Sequence, residues 1–202
     1  MSSPSSDDLI RLLRAWRFWF LGAVMGALIG AAVFYLAPPP YRARATVNVD
    51  FHLEQAWPQN TDREQFYYLE RETSKLEEIA FSDAVLNTVA SQVSGVTIQQ
   101  LREQKLQLSQ PANGGWHFFA DDRDAQKAAA LASAWAQAFA KNVQVQAANP
   151  SSGLEQYITA APTQVEALNA PRSVSLSIYL LAGAAAFLAL SVLIVLFFDL
   201  KV

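Results

Sequence analysis

The residues able to do chemistry are few. Asp121, Asp122 and Asp124 stand together in the stretch FFADDRD. Three close carboxylates raise the idea of a cation loop. An EF-hand loop needs further oxygen ligands and a closing Glu at set spacing, and neither follows. Aspartates before a helical pattern instead accept backbone N–H groups and suit the positive end of the helix dipole. The triplet therefore reads as a helix start capped by Asp121 or Asp122. His52 and His117 are the two histidines of the 202-residue chain, and neither has a Cys or His at metal-ligand spacing. Glu77 and Glu78 are adjacent, so on a helix they point about 100° apart and form no acid pair. No serine sits in a G-x-S-x-G elbow. Trp57, Tyr67 and Tyr68, with Gln55, Gln59 and Gln65, are of the types that hold sugars. Such aromatics also simply cover cores and interfaces, and that plainer reading is preferred. The residues offer no catalytic set, no metal site and no cofactor site, so the expected role is not enzymatic.

The elements around these residues carry more information. The chain is 52% hydrophobic with a mean hydropathy of +0.13, and the excess lies in two uncharged runs, Phe18–Leu36 and Leu176–Phe198. At about 1.5 Å per residue, either is long enough to cross a hydrocarbon core of about 30 Å. The first run is longer than the apolar stretch of a signal peptide, so a retained anchor is expected. Arg11, Arg14 and Arg17 precede it and, by the positive-inside rule, anchor it on the cytoplasmic side. The expected organisation is a cytoplasmic segment 1–17, transmembrane helices 18–36 and 176–198, an extracytoplasmic domain 37–175, and a cytoplasmic tail 199–202. Plasma (inner) membrane localisation follows, with both termini cytoplasmic. The domain holds 11 Lys plus Arg against 15 Asp plus Glu, with no basic patch, so nucleic acid is not an expected partner. The chain has no cysteine, so disulfides play no part in the fold.

Pro38, Pro39 and Pro40 stop the first run. Residues 41–52, YRARATVNVDFH, then alternate strictly between apolar and polar, the pattern of a strand with one buried face. A loop spans 53–61. Asp62 caps a helix that carries Phe66, Leu69, Leu76 and Ile79 on one side. Ser82 caps a second helix ending at Gly95, and Thr97–Glu103 makes a short helical turn. Residues 105–109 and 116–120 form a hairpin around Asn113, Gly114 and Gly115. A long helix, 123–147, places Leu131, Trp135, Phe139 and Val143 on one stripe. Residues 155–161 form a last strand. The fold class is thus an α+β domain, a small mixed sheet packed by helices, between two transmembrane helices. The strand leaving the first membrane helix and the strand entering the second are expected to pair.

Gly22, Gly26 and Gly30 lie four apart and make a smooth face for close helix packing, against the second helix or a neighbouring copy. Ala182 and Ala186, beside Gly183, are the expected partner surface. Pro162, Pro171 and Arg172 belong to an extended run into the second helix, with Arg172 as an interfacial anchor.

This order of parts resembles the polysaccharide co-polymerases, the Wzz-type chain-length determinants. The resemblance rests on RLLRAWRFWFLGAVMGALIG, on YRARATVNV directly after the first helix, on LQLSQPANGGWHFFADDRDAQKAAALASAWAQAF, and on APTQVEALNAPRS. It implies a ring-like homo-oligomer that works with a polysaccharide polymerase on a lipid-linked glycan of the lipopolysaccharide O-antigen, capsule or exopolysaccharide type. The short helices over 62–103 imply a compact member, and the absence of G-x-x-x-x-G-K-[ST] separates it from kinase-fused members. Two other roles compete: an adaptor that activates a separate cytoplasmic tyrosine kinase, and a sensor that signals through a partner. Four residues after the second helix and 17 before the first leave the sensor no room for an output module; the short tail weighs against the adaptor, although the N-terminal segment could still dock a partner.

The topology has a direct check. In this cysteine-free chain a cysteine at Ser151 is expected to react with a membrane-impermeant thiol reagent in intact cells whose outer barrier is permeabilised. Labelling only after lysis would reverse the assignment.

Overall fold

The computed structural model describes residues 14–56, 62–110, 115–149, 151, 153, 154, 156–164 and 170–197. Arg11, Trp57, Gln59, the turn at Asn113 and Gly114, residues 165–169 of the proline-containing run and the tail from 198 lie outside them, as do the side chain of Asp62 and its capping role. The chain divides into two units. One holds the apolar helices, and the other is Pro40–Ser173.

The first unit is an apolar helix pair, α1 (Trp16–Leu36) and α7 (Leu176–Phe197). Both are long and apolar enough to cross a membrane, and most of their large side chains point outward.

The second unit is α+β. Strand β1 (Tyr41–Asp50) is followed by a single turn α2 (Leu53–Ala56), then α3 (Asp62–Ala80), α4 (Asp83–Gln92) and α5 (Ile98–Gln100). A π-turn at Leu101–Lys105 leads into β2 (Leu106–Ser109), β3 (Gly115–Asp122), the long helix α6 (Ala125–Ala147) and β4 (Thr159–Gln164). The sheet order is β2-β3-β1-β4, and every neighbouring pair is antiparallel. The mixed sheet expected from sequence is corrected here. β3 and β4 do run parallel to each other, joined by α6, but β1 lies between them. The first and last strands pair as the alternation implied.

The alternation of β1 becomes a buried face of Ala43, Ala45, Val47 and Val49 and a wetter face carrying Arg44, Asn48 and Asp50. The strand stops at Asp50 rather than 52. The Asp50 carboxylate accepts the His52 N–H at 2.9 Å, and His52 adopts φ +42°. This local turn competes successfully with the ladder.

Helix α6 lies on β1, β3 and β4 and also meets α3 and α4. Leu131, Trp135, Phe139 and Val143 are fully buried, and the alanines Ala128, Ala132, Ala136 and Ala140 let neighbouring elements approach closely. Phe118 of β3 meets Trp135 edge-on at 4.7 Å, and Trp116 stacks on Phe139 at 5.6 Å. Trp135 Nε1 donates to the Ala80 carbonyl at 2.7 Å, which satisfies a buried indole.

One helix face and one helix cap differ from the sequence reading. Phe66 is 63% exposed, whereas Tyr68, Glu72, Leu76 and Ile79 are buried. The inward line runs at 68, 72, 76 and 79, and Phe66 is two residues, about 200°, away from it. At the start of α6 the cap is Asp124, whose carboxylate accepts the N–H groups of Gln126 and Lys127. Asp121 and Asp122 still belong to β3 and are paired across the sheet. Ser82 caps α4 as expected, accepting the Val85 N–H.

Replacing Trp135 with Phe removes the bond to Ala80 and part of the core volume. The expected loss is about 1–3 kcal/mol from the carbonyl left without its donor, plus a packing term. Urea unfolding followed by circular dichroism measures it, with Val145→Ala on the outer face as a silent control. An unchanged midpoint for Trp135→Phe would remove the tryptophan from its central place.

Candidate functional site

Gly22, Gly26 and Gly30 all face α7. A β-carbon at Gly26 would stand 2.6 Å from the Phe187 Cβ and 2.8 Å from the Gly183 carbonyl carbon. At Gly30 it would stand 2.9 Å from the Tyr179 carbonyl carbon. Real side chains do not fit at such distances, so glycine is a steric requirement of this seam. Gly22 is more tolerant, because the atoms it meets first belong to the side chain of Ser191. The Phe34 and Tyr179 rings close one end of the seam edge-on at 5.4 Å.

The α7 side of the seam is Tyr179, Gly183, Phe187 and Ser191, spaced four apart. Ala182 and Ala186, expected there from sequence, are both exposed. They sit one position to the N-terminal side of Gly183 and Phe187, and so are rotated by about 100° from the contact line. Gly183 was the available signal. Counting four residues to either side of it gives the observed row. Ser191 would be a polar group in an apolar pair, but its hydroxyl donates to the Phe187 carbonyl at 2.8 Å.

In the domain, the two chain ends meet. Arg42 N–H donates to the Pro171 carbonyl at 2.9 Å, and Ser173 N–H donates to the Pro40 carbonyl at 2.8 Å. Tyr41 and Arg172 face each other in this bridge, with the guanidinium 4.3 Å from the ring centroid. Pro162 lies further up, inside β4 and opposite Val47, at the point where the β1–β4 register shifts. Pro162, Pro171 and Arg172 are thus parts of the domain's own sheet and its closing bridge. Of the N-terminal arginines, Arg14 and Arg17 are exposed, and Arg17 lies over the Trp16 ring at 5.8 Å.

Charge across the sheet is paired. Arg42 makes a two-pronged contact with Asp121, its partner in register, at 2.7 and 2.6 Å. That hydrogen bond raises the guanidinium pKa further against the effect of burial. Burial would push the Asp122 carboxyl up. The Lys105 hydrogen bond, the Asp124 N–H at 3.1 Å, and the charges of Lys105 and Lys127 outweigh it and hold the group below its usual range. A carboxyl so depressed stabilises the fold above its unfolded pKa and loses that contribution as pH falls through its folded value. His117 is pushed down by burial and then by the Arg44 charge. Its preference for the neutral form is also lost on the acid side, below the ordinary imidazole value. Both groups therefore make the domain sensitive to acid.

The aspartates, then, are structural: one caps and two form ion pairs. Among the described residues no group of three or more His, Cys, Asp or Glu is placed to hold a metal ion. Tyr67 is exposed and Tyr68 buried, and their neighbours Gln55 and Gln65 lie on two different helices. What the arrangement can do is mechanical: it packs two apolar helices tightly and fixes the two ends of a rigid domain together. In comparison with known proteins, no family model and no curated protein matches the chain.

Gly26→Leu is expected to break the seam, costing at least about 1–3 kcal/mol as an overpacked substitution against backbone. Gly22→Ala should cost less, and Ala182→Leu on the exposed face nothing. Unfolding by sodium dodecyl sulfate titration ranks the three, and an equal response from Gly26→Leu and Ala182→Leu would sink the seam.

Proposed function

We propose that the chain is a membrane-anchored, homo-oligomeric scaffold that modulates chain length in the polymerisation or export of a cell-surface polysaccharide, in the manner of the Wzz-type co-polymerases it resembles. The observation that carries most weight is the pairing of β1 with β4 and the bridge from Pro40–Arg42 to Pro171–Ser173. A domain whose two ends are locked together, with one apolar helix before it and one after it in the chain, suits a two-pass protein that holds a rigid body at a membrane surface. In this reading Arg11, Arg14 and Arg17 lie on the cytoplasmic side and the Pro40–Ser173 domain on the other. The partners are a polysaccharide polymerase, its lipid-linked glycan and further copies of this chain. The mechanism is geometric. Protomers flank the polymerase, and the assembly biases when extension stops, with no bond made or broken by the scaffold itself.

The test is the length distribution of surface or secreted polysaccharide with the protein removed and then restored. A preferred length that disappears and returns is the expected result. An unchanged distribution, with unchanged total glycan, would overturn the scaffold role.

A further inference from the structure

The C-terminal half of α3 and the end of α6 leave between them a cavity of about 340 Å³, lined by Lys75, Glu78, Ile79, Ser82, Gln146 and Leu154. That volume is within the range of small-ligand sites, and the cleft is open to solvent rather than enclosed. Its walls differ sharply in chemistry. Ile79 and Leu154 supply nearly buried aliphatic surface. Lys75 is held from behind: its ammonium donates to Glu72 Oε1 at 2.7 Å and to the Gly153 carbonyl. A lysine has three N–H donors, so one is left for the cavity. Glu72 is fully buried, and its Oε2 has no hydrogen-bond partner among the described residues. A buried carboxylate holds its cations firmly, here Lys75 together with Arg71, whose Nε donates to the same Oε1 at 2.7 Å. Lys75 is thereby a fixed donor rather than a mobile surface chain, and it also ties down the Gly153–Leu154 wall. Opposite in charge, Glu78 is exposed and has no ion-pair or hydrogen-bond partner among the described residues. The Ser82 hydroxyl stands at the rim, donating to the Ile79 carbonyl at 2.8 Å.

This set disfavours singly charged and purely apolar ligands. An anion meets Glu78. A simple cation meets Lys75. A purely apolar molecule strips water from both charges and returns no hydrogen bond. A molecule with several hydroxyl groups on a carbon frame does fit. It donates to the Glu78 carboxylate, accepts from the Lys75 ammonium, and lays its C–H face on Ile79 and Leu154. We propose that this cavity binds a neutral polyhydroxylated ligand, one sugar residue of a glycan. The preference for a neutral ligand comes from the cavity; the choice of a sugar, over other polyols and over a zwitterion that would pair with both charges, rests on the proposed function.

Saturation-transfer NMR on the full chain in a phospholipid nanodisc, with methyl glycosides of neutral hexoses as probes, tests the site. Transfer to at least one glycoside is expected. It should weaken about tenfold in Glu78→Gln, the loss of one charge-assisted hydrogen bond, and vanish in Glu78→Lys. Glu77→Gln, on the neighbouring exposed residue, should leave it unchanged. Both Glu78 variants sit on the surface and spare the core. No transfer to any glycoside, equal transfer in the wild type and both Glu78 variants, or transfer to free glycine alone would each overturn the site. Binding that persists while polysaccharide length ignores the protein would sink the scaffold and leave the site standing. A length effect without binding would do the reverse.

Discussion

One tryptophan joins the layers of the domain. Trp135 rests edge-on against Phe118 of the sheet, meets Phe81 beyond the end of α3, and donates its indole proton to the Ala80 carbonyl. An indole buried without an acceptor would work against the fold, and an apolar residue in its place could not fix the end of α3 in position. The alanines along α6 follow from the same constraint. With so large a residue at the centre of the helix, its neighbours must be small for sheet and helices to close around it. The contacts of Trp135 with Phe118, and of Phe139 with Trp116 and Phe118, then set how α6 lies on the strands.

The sheet turns this rigidity toward the chain ends. β1 is flanked on both sides, by β3 and by β4, so the segment that begins the domain is one of the two central strands of its sheet. The bridge at Tyr41 and Arg172 extends that pairing to the boundary of the unit. Separately, the helix pair is held by backbone contact at Gly26, Gly30 and Gly183, where no side chain intervenes. Each unit thus has its own means of excluding alternatives: an aromatic core in one, the absence of side chains in the other.

Much of this was legible in the sequence, because periodicity is a local property. The alternation from Tyr41 to Val49, the stripe of Leu131, Trp135, Phe139 and Val143, and the four-residue spacing of the glycines each follow from the repeat of one element. What escaped depended on other elements. The inward line of α3 was mistaken because Phe66 is the more apolar residue, yet Glu72 is the one buried, held there by Arg71 and Lys75. Nothing in a helical repeat marks a carboxylate as interior. Asp121 and Asp122 looked like caps until Arg42 and Lys105 came to meet them from distant parts of the chain. Ala182 and Ala186 looked like a packing face because smallness is visible in sequence, while the rotational phase of a helix against its partner is not.

Pro162 has a consequence of another kind. It lies in β4, the outermost strand on one side of the sheet, beside a break in register with β1. Proline brings no N–H, and a bulged strand presents its remaining groups out of step. Such an edge is a poor template for a further strand. If copies of this protein gather side by side, their sheets cannot run on through β4 as a continuous ribbon. Contact there is left to side chains, which keeps neighbouring domains separable and guards an exposed margin against runaway aggregation.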